Sequence, residues 1–175
     1  AALEMRLAFV ETPDGNLNRR TEAGLSGLTS ILRMRTSVEP ADPHGVNLET
    51  DSLELYPLIY FNVPESMPPL SETAIANLNT YLRSGGALVI DTRAGGTIGS
   101  QTDVSRLETL LEGLDAPPLQ TVGENHVLTR SFYLLNDFPG RYAQRSLWIE
   151  QAGDASAPRG DGVSRLIIGD ADWAS

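Results

Sequence analysis

Short apolar runs alternate with stretches of helical spacing along most of the chain. The first run, Met5–Val10, is nearly continuous and suits a strand covered on both faces, as in a parallel sheet. Turn residues Thr12-Pro13-Asp14-Gly15-Asn16 follow, then a helix from about Arg19 to Arg33 with Leu25, Leu28, Ile31 and Leu32 at helical spacing. Residues 36–52 are polar and irregular, with a short edge strand expected at Thr36–Glu39. A strand is expected at Leu55–Phe61, although Pro57 within it cannot donate to a ladder. Ser71 is a good N-cap for a helix burying Ile75, Leu78 and Leu82, and Ser84-Gly85-Gly86 ends it. The strand Ala87–Asp91 comes next, completing a strand–helix–strand crossover of the kind that is almost always right-handed.

Beyond Asp91 the pattern weakens. Asp103 starts a helix carrying Val104, Leu107, Leu110, Leu111 and Leu114, with Gly113 near its end and Pro117-Pro118 after it. Residues 126–135 read equally as strand or helix, because period alone cannot arbitrate a short apolar run. Strands follow at Ser146–Glu150 and Val163–Ile168, joined by the acidic, glycine-rich loop 152–162. The last strand is followed only by a short tail, so it lies at an edge or the natural protein continues past Ser175; continuation is the preferred reading. The order of elements predicts a single α/β domain over residues 1–175 with three layers and an open, mostly parallel sheet. The start at Ala1 rather than Met suggests a piece of something longer.

Composition removes several chemistries. There is no cysteine, hence no thiolate nucleophile, disulfide or cysteine-ligated metal. All 13 basic residues are arginine, which excludes a Schiff-base lysine and a Walker-type phosphate loop. The net charge of −10 repels phosphate backbones and anionic headgroups, so no nucleic-acid partner is expected. No run approaches the roughly 18 apolar residues of a membrane span, so this segment is not expected to insert in a membrane.

In an open α/β sheet, ligands bind beyond the carboxyl ends of the strands, near a reversal in strand order. That rule singles out Glu11, Thr12 and Asp14 after the first strand, Asn62 after the second clear one, Asp91, Thr92 and Arg93 after the third, and Asp170, Asp172 and Trp173 at the end. Glu11, Asp14, Asp91 and Asp170 could converge on magnesium or another divalent cation, but no spacing motif supports this and no cofactor is predicted. Asp91 is a candidate base or nucleophile; N-cap or turn duty is its preferred role. His126, beside Arg130, is the candidate acid/base partner, while His44 lies in a polar loop. Arg130 and Arg141 suit a ligand carboxylate or phosphate, or pairing within the chain. No G-x-S-x-G elbow and no dinucleotide glycine pattern occurs.

Taken together, MRLAFVET, GLSGLTSILRMRTSVEP, LYPLIYFNVPESMPPLSETAIANLNTYLRSGGALVIDTR, HVLTRSFYLLNDFPGR and GDADWA resemble the bacterial domain of unknown function 4159 family. The resemblance implies a flavodoxin-like sandwich of the class I glutamine amidotransferase-like kind. It also implies a soluble domain within a longer, inner-membrane-anchored bacterial protein, with that chain's other domains or another protein as partners. In amidotransferases the nucleophilic cysteine follows the strand matching Leu88-Val89-Ile90-Asp91-Thr92; it is absent here. Two functions are therefore expected. The preferred one is a non-catalytic module binding a partner or small ligand around Thr12, Asn62, Asp91, Thr92, Arg93, Arg130, Arg141, Asp172 and Trp173. The alternative is a hydrolase using Asp91 and His126, with a divalent ion.

Overall fold

Strict alternation in three neighbouring strands decides the architecture. The computed structural model describes residues 5–92, 101–116, 118–122, 141, 147–150 and 164–174, with the side chains of 101–104 excepted. Among them β1 (Arg6–Val10), β3 (Leu58–Asn62) and β4 (Ala87–Asp91) lie side by side and parallel, flanked by β2 (Ala41–Val46) on one edge and by β7 (Leu166–Gly169) beyond β4. Antiparallel β6 (Trp148–Glu150) and β5 (Leu119–Thr121) extend the sheet, giving the order β2-β1-β3-β4-β7-β6-β5. The result is an α/β fold with an open, mostly parallel seven-stranded sheet, consistent with a flavodoxin-like arrangement.

Since successive strand residues face opposite sides, β1, β3 and β4 each feed two cores. Ala8, Val10, Ile59, Phe61, Leu88, Ile90, Leu166 and Ile168 pack with Leu78, Tyr81 and Leu82 of α2 (Glu72–Arg83) and Leu110 of α3 (Gln101–Leu110). Leu7, Phe9 and Tyr60 face the other way, onto Leu25 of α1 (Gly15–Arg35) and Ala174, with Val89, Leu32 and Trp173 packed alongside. The smaller cluster is closed by one helix and the last described residues, and the candidate site lies on that side.

Several boundaries differ from the sequence expectation. Helix α1 begins at Gly15, because Asp14 accepts the amides of Asn16 and Leu17 at 3.0 and 3.1 Å and caps it. It runs to Arg35, with Thr36 closing the final turn through its amide and hydroxyl on the Leu32 carbonyl. No strand therefore forms at Thr36–Glu39; the edge strand is β2. Its ladder carries an extra residue, since Arg6 pairs with Ala41 and Ala8 with His44, and the bulge falls beside Pro43. Of the apolar residues at helical spacing in α1, Leu25 is buried while Leu28 and Ile31 are 45% and 44% exposed. Pro57 stands outside β3, after a 3-10 turn at Leu53–Leu55, and its carbonyl accepts the Ala87 amide at 3.1 Å.

Other expectations hold. Ser71 caps α2 through the Ala74 amide, and Gly85 adopts φ +98° at its end, a conformation open to glycine. Strand β4 has the bounds read from the sequence. The last strand is not at an edge: β7 sits inside the sheet between β4 and β6, and the ring of Trp173 lies against Gly169 at its end. The short β5 went unanticipated, and the segment 126–135 lies outside the described residues. Among the described residues no helix is long and apolar enough to cross a membrane.

Candidate functional site

The chain passes from β1 to the edge strand β2 and returns across β1 to β3, so strand order reverses at β1/β3 and the rim worth reading lies at the carboxyl ends of β1, β3 and β4. Alternation along β4 puts Val89 and Asp91 on the α1 side, and alternation along β3 does the same for Tyr60 and Asn62. Asn62 and Asp91 are register partners, and Asp91 pairs with Gly169 on its other side. Sequence alone thus delivers a carboxylate to the end of the central strand, between a tyrosine strand and a glycine.

That carboxylate is closed off. Asp91 is 0% exposed. Its Oδ2 accepts the Tyr60 hydroxyl at 2.6 Å and the Trp173 amide at 2.8 Å, and its Oδ1 accepts the Asp172 amide at 3.3 Å. Hydrogen bonds to an ionised acceptor are the stronger kind, and among the described residues three donors from two parts of the chain meet on this group. Burial first, then the Asp91 charge and the hydrogen bond to it, push the Tyr60 hydroxyl far above the ordinary tyrosine value, with a smaller contribution from Asp172. Tyr60 is therefore a fixed donor.

The amides reach Asp91 because residues 169–174 double back. Asp172 adopts φ +54°, a left-handed conformation that aspartate tolerates better than most residues, and this turns the chain inward. Gly169 leaves room for the ring of Trp173; a Cβ there would lie 2.1 Å from the ring. Gly24 on α1 does the same for Ala174, whose carbonyl oxygen would be 2.5 Å from an added Cβ. The hairpin-like tail is thus pinned at three points: Gly169 under the indole, Asp91 under two amides, and Gly24 against Ala174.

The remaining candidates fall around this lock. Thr92 donates its amide to the Gly169 carbonyl at 2.9 Å, its hydroxyl lying 3.3 Å from the same oxygen. Asp172 is 1% exposed, with the half-exposed Arg141 guanidinium 3.6 Å from its carboxylate. Asn62 donates to the Thr21 hydroxyl of α1 at 3.0 Å, tying β3 to the helix. Thr12 belongs to a separate knot: its amide and hydroxyl both donate to the Asn18 side chain, which donates back to the Thr12 carbonyl. Asp91, Thr92, Asp172, Trp173 and Arg141 are brought together, Asn62 borders them, and Thr12 stands apart. Arg93, His126 and Arg130 lie outside the described residues, and so does the Asp91–His126 pairing.

Asp91 does not open to solvent. Nor do Glu11, Asp14, Asp91 and Asp170 gather: Asp14 caps α1, Glu11 lies over Gly45 of β2, and among the described residues no group of three or more histidines, aspartates or glutamates could hold a metal ion. The sequence reading also passed over Tyr60, Thr21 and Gly169. The first was detectable, since alternation through Tyr60 and Asn62 places the phenol on the face that receives Asp91.

A family model described as Domain of unknown function (DUF4159) matches residues 6–175, nearly the whole chain and every element of the lock. The chain belongs to that family. No match was found among the curated proteins. In this DUF4159 member Trp173 and Ala174 pack into the α1-side core.

Proposed function

We propose that this DUF4159 domain is a non-catalytic binding module of the glutamine amidotransferase-like kind. It holds a protein partner or another domain of a larger, membrane-associated bacterial chain. The observation that carries this reading is the complete burial of Asp91 under the Asp172 and Trp173 amides. The amidotransferase resemblance puts Asp91 where a working enzyme carries its thiol. A nucleophile or base must come within hydrogen-bond reach of the reacting atom, about 2.6–3.2 Å. Asp91 has that closeness to the protein's own donors, and a carboxylate held by three of them is a poor attacking group. The position that serves chemistry in an enzyme serves cohesion here.

Turnover of glutamine and of p-nitrophenyl esters, glycosides and phosphates by the purified domain is the test. Rates should equal those of buffer, with and without millimolar magnesium or manganese, and Asp91→Asn should change none of them. A rate well above background that Asp91→Asn removes, while circular dichroism shows the variant folded, would sink this reading in favour of the Asp91–His126 hydrolase.

A further inference from the structure

We infer that the outward flank of α1 is a docking surface for an acidic amphipathic helix supplied by a partner. A helix advances about 100° per residue, and on that spacing Arg20, Gly27, Leu28, Ile31, Met34 and Arg35 share one sector of about 120° along α1. All six are exposed, with Leu28 at 45%, Ile31 at 44% and Met34 at 73%, while Leu17 and Gly24 in the same sector are covered, Gly24 by Ala174, so the open part centres on residues 27–35. Apolar side chains at such exposure, contiguous over two turns, are what an interaction face shows and what a solvated face avoids. Gly27 meets nothing within 4 Å where its Cβ would stand, so a second backbone can approach closely there.

Charge selects the occupant. The protein carries a net charge of −10, yet α1 holds four arginines, Arg19, Arg20, Arg33 and Arg35, against the single acid Glu22. On 100° spacing Glu22 falls outside the sector, so the apolar stripe is bounded by Arg20 and Arg35 with no acid between them. A helix with leucine-like residues along one face and carboxylates beside them matches both features, as helix-in-groove recognition requires. A second copy of α1 does not match: antiparallel pairing centred on Gly27 and Leu28 sets Arg20 opposite Arg35 twice.

Docking at α1 deepens the binding-module reading and rests on it, but the two fail separately, because turnover through Asp91 would leave α1 titrations unchanged. The probe is a synthetic helical peptide with leucines on one face flanked by glutamates, titrated into the labelled domain by NMR. Amide shifts should saturate within residues 20–35, and Ile31→Asp or Arg35→Glu should each weaken binding about tenfold without altering the rest of the spectrum. Higher salt should weaken it as well. The same peptide with lysine in place of glutamate should bind at least tenfold less tightly. Equal binding of the two peptides, no shifts at millimolar peptide, shifts confined to other elements, concentration-dependent self-association through α1, or selective binding to phosphatidylglycerol vesicles would each overturn the assignment.

Discussion

Asp91→Asn perturbs the lock while preserving its volume. Kept at the Oδ2 position, the amide oxygen still meets Tyr60 and Trp173, so those two bonds survive but lose their charge assistance, about 1 kcal/mol each. The amide NH2 then stands at the Oδ1 position, facing the Asp172 amide, a donor against a donor, which costs about 1–3 kcal/mol. Burying a neutral amide is cheaper than burying a carboxylate, which offsets part of this. The net expectation is a loss of about 1–3 kcal/mol, with Asp91→Ala losing about 3–5 kcal/mol because it leaves all three donors unmatched. Urea unfolding followed by tryptophan fluorescence reads the change, since Trp173 lies on Gly169 within the affected segment. With a slope of about 1–3 kcal/mol per molar urea, the midpoint should fall by roughly 1 M. A shift under about 0.5 kcal/mol, the range of an ordinary surface change, would refute the reasoning.

Other outcomes follow from the same contacts. Gly24→Ala should destabilise the domain, because its Cβ would strike the Ala174 backbone at 2.5 Å, whereas Gly27→Ala, with nothing within 4 Å, should add about 0.5–1 kcal/mol through helix propensity; thermal midpoints moving in the same direction would contradict this. Tyr60→Phe should cost about 1.5–3 kcal/mol in urea by removing a donor to a charged acceptor, and an unchanged midpoint would argue against that bond. Burial chiefly raises the pKa of both Tyr60 and Tyr81, so above about pH 10 the unfolded chain releases protons the folded one keeps. Stability contributed this way is complete below pH 10 and falls with rising pH by about 1.4 kcal/mol per unit for each tyrosine. Tyr60→Phe should reduce that slope by one tyrosine's share; an identical slope in the variant would count against it.

The parts legible in the sequence were those where one pattern governs. Ala87–Asp91 alternates cleanly between two covered faces, and Ser71 and Gly85 are capping residues with a single structural use, so strand β4 and helix α2 emerge with correct ends. Legibility failed where a side chain had a second use. Asp14 reads as a turn residue and in fact starts α1 early. Thr36 has strand propensity, but its hydroxyl closes a helix. Pro57 lies in an apolar run that continues past it, and the run, not the proline, set the expected boundary.

The candidate site was half legible for a different reason. Its location follows from topology, and Asp91, Asp172 and Trp173 were all singled out from their places after apolar strands. Its character could not follow, because openness depends on where the tail goes. That path is set by a left-handed aspartate, Asp172, and by two glycines, Gly24 and Gly169, that are 145 positions apart in number and that no local pattern relates. A buried carboxylate bonded to amides 81 and 82 residues away is a tertiary fact.

Hydrogen exchange at the Asp172 and Trp173 amides, measured in the wild-type domain and in Asp91→Asn, addresses the lock itself. With the carboxylate holding both amides, they should exchange in the wild type only as slowly as the amides of β4, through global unfolding, and at least tenfold faster in Asp91→Asn through local opening of the tail. Wild-type amides exchanging at the rate of exposed loops, or protection unchanged by the substitution, would mean that Asp91 does not hold the tail in place.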